Sequence, residues 1–146
     1  MSRRHDDGTV MLLVLGLVVL AGLFVVVVVD ASALFMARRD LLAAADGAAL
    51  AGAQAVDEAA VYREGVHGSL PLDARRVQLA VDDYLRFSGV SGSVDGLQVD
   101  VTTDGTTVRV ELLAVVQLPV VNGVTPGAAD GVSVAATASA RSAVLP

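Results

Sequence analysis

The hydrophobic and polar positions change rhythm three times along the chain. Val10 to Val29 is a run of 20 residues without a charged side chain, a proline or a strongly polar group. At about 1.5 Å per residue such a run matches the ~30 Å hydrocarbon layer of a bilayer, which predicts a transmembrane helix. Gly16 and Gly22 do not break it, because lipid offers the backbone no alternative hydrogen-bond partners. Past Val29 the apolar positions thin to a stripe. Leu34, Leu41, Ala48, Ala55 and Tyr62 recur every seven residues, with Ala37, Ala44, Leu50, Ala51 and Ala59 beside them. No proline occurs before Pro71, so the pattern predicts one rod from Thr9 to Tyr62, about 81 Å long. A seam of Ala buries little area per residue but lets backbones approach closely, which suits contact with another helix or a sheet. A domain of this size does not cover so long a rod, so part of it must lie in lipid or against partners.

After Gly65 and Gly68 the rhythm restarts. Asp73 is placed to cap a helix that carries Val77, Ala80, Val81, Tyr84 and Leu85 on one face and stops at Gly89. Asp82 and Arg86 stand at i, i+4 on it. Period-2 alternation then takes over. Asp104-Gly105 reads as a type I′ turn, and folding about it pairs Val101 with Val108, Val99 with Val110 and Leu97 with Leu112, and sets Asp100 opposite Arg109 and Gln98 opposite Glu111. Beyond Leu112 both faces of the second strand turn apolar, at Leu113, Val115 and Val116, and call for cover on both sides. Pro119 ends that strand, Val120 to Gly131 reads as a Gly- and Pro-rich loop, and Val132 to Ala143 alternates as a third strand of small side chains. The expected fold class is α+β. A long N-terminal helix, transmembrane and then extending outside, precedes a short helix and a small antiparallel sheet of about three strands. The organisation expected is a tail at 1–9, a transmembrane helix at 10–29, its Ala-rich continuation at 30–62 and a small α+β domain at 63–146.

Composition supports membrane residence. The chain is 54% hydrophobic and 18% charged over 146 residues, with a mean hydropathy of +0.65 that is high for a soluble domain. Its net charge is −6, its ten bases are all Arg, and it has three Phe, two Tyr and no Trp. An acidic chain with few stacking rings is a poor match for nucleic acid. The absence of Cys excludes disulfides, thiolate metal sites and cysteine nucleophiles. His5 and His67 are 62 residues apart, and neither has a His or Cys near it in sequence to complete a ligand set. Asp82, Asp83, Asp95, Asp100 and Asp104 could be recruited to calcium, but their spacing is not that of an EF-hand loop. The Ser residues lack a GxSxG elbow, and no Gly-rich phosphate cradle follows a strand. No enzyme and no cofactor is expected.

The lead ending in Gly8-Thr9, the single apolar span, Asp30 at its exit, Ala37-Arg38-Arg39-Asp40-Leu41 and the string Ala44 to Ala53, with Asp46, Leu50 and Gly52, carry a family resemblance. Together they resemble the N-terminal region of TadE/TadG-like proteins of tight-adherence (Tad) pilus assembly, the actinobacterial members above all, over roughly residues 3 to 55. The resemblance implies a single-pass, pseudopilin-like or minor-pilin-like structural component of a Flp/Tad pilus or secretion apparatus. Its partners would be the bilayer and other pilus proteins or copies of itself, met through the N-terminal helix. Type IV pilin-like precursors are cleaved after a Gly, with Glu at the fifth mature position. Cleavage here would fall between Gly8 and Thr9, where the fifth position is Leu13, and this departure favours an assembly or minor component over a major subunit.

Arg3 and Arg4 before the span balance Arg38 and Arg39 after it. The N-terminal position of the span then sets the expected orientation, with the tail in the cytoplasm and the domain outside, in the cell membrane or incorporated in a surface filament. Ala31-Ser32-Ala33 also fits signal peptidase cleavage between Ala33 and Leu34. That leaves an alternative: a small secreted or tethered binding module using the sheet or the apolar segment Leu118 to Val124.

Overall fold

The computed structural model describes residues 6–55, 72–124 and 131–142. The long helix α1 spans Asp6–Ala53, 48 residues. Its window of highest hydropathy is wholly uncovered among the described residues, and it is long and apolar enough to cross a membrane. The helix ends earlier than the expected Tyr62: Gln54 N–H is shared between the Leu50 and Ala51 carbonyls, and Ala55 N–H reaches Gly52 O at 3.0 Å. This tightening to i→i+3 bonds is the usual way a helix closes its last turn. The Gly65 and Gly68 break, Ala59, Tyr62 and His67 lie outside the described residues.

The second helix, α2 (Ala74–Ser88), has the expected ends. Asp73 accepts the Arg75 N–H at 2.9 Å, and Gly89 closes the C-terminus at φ 75°. Val77, Val81 and Leu85 are its buried face. The expected Asp82–Arg86 pair is not formed: Arg86 lies 3.7 Å from Asp83, one turn back at i−3, and Asp82 accepts from Gln78 Nε2 at 3.1 Å. A short 3-10 turn at Val90–Gly92 leads into the sheet.

Three antiparallel strands, β1 (Asp95–Thr103), β2 (Thr107–Val116) and β3 (Val132–Arg141), stand in that order, with β2 central. The β1/β2 register differs from expectation by two residues. Val101 faces Val110, Val99 faces Leu112, Thr102 faces Arg109 and Asp100 faces Glu111. The reason is the turn. Asp104 sits before the tip rather than in it: its N–H bonds Thr107 O at 3.2 Å, while its Oδ1 takes the N–H groups of Thr106 (2.9 Å) and Thr107 (2.6 Å) and the Thr106 hydroxyl (3.0 Å). Gly105, at φ 87°, is the first of two tip residues, the position at which a type II′ hairpin requires glycine. An even shift keeps every side chain on its face, so the inward set survives while the charge pairing changes. Asp100 and Glu111 consequently stand directly opposite as like charges on the exposed face. At the other end of β1 the register slips between Asp95 and Gln98, where Gly96 at φ 60° accommodates a bulge.

The inner face of the sheet carries Val108, Val110, Leu112, Ala114 and Val116 from β2 and Val134, Ala136 and Ala138 from β3, all buried. α1 lies across β3 and β2, and α2 packs chiefly on α1. The Ala stripe is what permits this. Ala44, Ala45, Ala48, Ala49 and Ala53 are buried with Leu41, so helix and sheet meet through small side chains on both surfaces. Leu50 is not beside that seam; it is 55% exposed, because its position is turned about 200° from Ala48. The outer face of the sheet is open among the described residues. Leu113 is 42% exposed and flanked by Gln98 and Ala135, so the second layer of cover expected there is missing. The last difference is a third helix, α3 (Pro119–Val124), in the first part of the expected loop; residues 125–130 lie outside the described residues.

Candidate functional site

The chain concentrates its unusual chemistry where α1 passes from its bare apolar half into the domain. Between Val10 and Ala37 the only polar side chains are Asp30 and Ser32. Asp30 is buried, 7% exposed, although it lies one turn beyond Val26 on an otherwise lightly covered helix. α3 covers it. Pro119 begins α3 and has no N–H to offer, so the first free donor of the helix is Val120, whose N–H reaches Asp30 Oδ1 at 2.9 Å across 90 residues of sequence. A carboxylate at a helix N-terminus is favoured by the orphan donors there and by the helix dipole. The second oxygen, Oδ2, is buried without a hydrogen-bond partner. Ser32 donates its hydroxyl to the Val28 carbonyl at 2.7 Å, which satisfies it within the helix itself.

The residues named from the sequence divide by face. Asp30, Leu41 and Gly52 point into the domain. Gly52 makes a close approach there: a Cβ on it would stand 3.1–3.2 Å from methyls of Val108, Val77 and Val81, which would have to give way. Arg38, Arg39, Asp46 and Leu50 are exposed. Val10 and Val29 bound a wholly outward-facing segment broken only at Val26, which is half-buried. Gly8 and Thr9 lie in the first turns of α1; Ala33 and Leu34 lie in its interior, half-buried, with Leu34 packed against the core.

Two features escaped the sequence reading. Gly47 makes room for the Tyr84 ring, which occupies the space a side chain at 47 would fill. Ser142 is buried at 2% exposure after β3, with its N–H on Thr106 O at 2.8 Å. From Pro119 the segment Leu118 to Val124 forms α3, which packs on α1 and bonds Asp30 through the Val120 N–H. A groove between α2 and β1 is floored by Leu85, Val94, Leu97 and Val99, with Asp82 and Asp83 on its rim. Among the described residues no group of three or more His, Cys, Asp or Glu could hold a metal ion. The Asp104 carboxyl is held below its ordinary value of 3.8 by the Thr106 and Thr107 N–H groups, a turn function.

The site is thus a joint. One helix is bare along its apolar half and forms the core of the domain along its other half, and a short uncharged helix seals the polar residue between. Residues 8–61 match the family model described as "Putative Flp pilus-assembly TadE/G-like". No curated protein and no solved structure matches the chain.

Proposed function

We propose, from the match of residues 8–61 to the TadE/G-like model of Flp pilus assembly, that the chain is a single-pass, minor-pilin-like structural component of a Tad-type pilus or secretion apparatus. Its tail is cytoplasmic and its α+β domain extracytoplasmic. It works by assembly rather than catalysis, presenting the exposed face of α1 to lipid and to other pilus proteins or copies of itself. The observation that carries this reading is the division of labour along α1. The Ala stripe is consumed within the chain, against the sheet and α2, which leaves the bare segment from Val10 to Val29 as the longest stretch of α1 open to partners. Because helix packing in lipid depends on the shape of the contacting side chains, that segment should carry specificity.

The test is complementation in cells that carry the gene beside a Tad ATPase and polytopic Tad proteins. Deletion should abolish or sharply reduce surface pili, and the full chain should restore them. A version with Val10–Val29 replaced by an unrelated Leu-rich span should reach the membrane yet fail to restore assembly. Full restoration by the unrelated span would reduce the helix to a plain anchor and remove the packing role.

A further inference from the structure

The outward surface of α1 stays apolar well past Val29. Phe35 and Met36 are 68% and 65% exposed, and the first outward charges are Arg38 and Arg39. The two polar side chains before them are withdrawn from the surface, Asp30 under α3 and Ser32 onto the Val28 carbonyl. α3 itself contains no charged residue. From Val10 to Ala37 the helix therefore offers apolar surface over 28 residues, about 42 Å at the standard rise, which exceeds a ~30 Å hydrocarbon core but equals a bilayer with its headgroup layers.

We propose that the outer edge of the bilayer lies at Arg38-Arg39, that Phe35 and Met36 are seated in the headgroup layer, and that α3 reaches from that layer into the top of the hydrocarbon as an interfacial collar whose partner is the lipid surface. This rests on the reading of α1 as membrane-spanning. The physical sense of the Asp30–Val120 bond follows. A carboxylate about 12 Å below that boundary (eight residues at 1.5 Å each) would meet lipid if bare, and α3 supplies a donor and a cover at that depth. Arg38 and Arg39 extend their guanidinium groups to the phosphate layer from just above it, as long basic side chains do at helix ends.

The absence of native Cys makes the test direct. Single variants Leu20→Cys, Met36→Cys, Gly123→Cys and Thr137→Cys of the full chain carry a nitroxide label in lipid nanodiscs, and collision with oxygen is compared with collision with a water-soluble nickel complex. All four positions are exposed, and a Cβ at Gly123 meets nothing within 4 Å, so the fold should tolerate them. Labels at Met36 and Gly123 should lose most of the nickel accessibility seen at Thr137 on the open sheet face, and Leu20 should be accessible to oxygen alone. Nickel accessibility at Met36 and Gly123 equal to that at Thr137, with Leu20 in lipid, would overturn the collar while leaving the anchor. Nickel accessibility at Leu20 would overturn both.

Discussion

Asp30 is where the bare apolar segment of α1 meets the domain. Removing its side chain leaves the Val120 N–H without its partner and opens a gap under α3. Asp30→Ala should therefore cost about 1–3 kcal/mol, the range for orphaning a buried hydrogen-bonding group. Asp30→Asn retains an acceptor and should recover much of that loss, as read by chemical denaturation in detergent micelles. Nothing local in the sequence announces the bond, since its ends are 90 residues apart; only Pro119, suited to a first helical position, hints that a helix begins there. Asp104 makes a second prediction. Its folded pKa lies below the ordinary 3.8, with the Thr106 and Thr107 N–H groups as the main cause, so its contribution is present above the unfolded pKa and is lost as pH falls through the lowered folded value. Wild type should lose more thermal stability below pH 3.8 than Asp104→Ala, and equal acid sensitivity would show that the carboxylate does not hold the turn.

Among the elements, α1 shows how an Ala-rich helix is specified. The heptad stripe marks the face correctly at Leu41, Ala44 and Ala48, because small residues at that spacing are where a helix can approach a sheet closely. Hydrophobicity alone misplaces Leu50, whose side chain belongs to the opposite side. Gly52 is a point of close approach to three valines. Gly52→Leu should destabilise the domain by about 1–3 kcal/mol or more, because the three valines around it are β-branched and have few rotamers with which to give way. A thermal melt beside Leu50→Gly, which perturbs helix propensity on the exposed side instead, would separate packing from propensity. The hairpin was legible in its faces and not in its register. A period-2 pattern distinguishes odd shifts from even ones, but a shift of two leaves Val99, Val101, Val108 and Val110 on the same side, and the capture of Thr106 and Thr107 by Asp104 decides between them. α3 escaped because six residues of Pro, Val, Asn and Gly carry no helical period.

For the whole molecule, continuity is the central claim: α1 crosses from the apolar segment into the core without a break from Asp6 to Ala53, and the domain is built around that helix rather than tethered to it. A chain shortened to Leu34 would lose Asp30, and with it the acceptor of Val120. The decisive measurement is the mature N-terminus of the protein, read by mass spectrometry on membrane and soluble fractions of the cells that make it. The account predicts a membrane-bound chain that begins at Met1, Ser2 or, with prepilin-type processing, Thr9. A soluble chain that begins at Leu34 would contradict it.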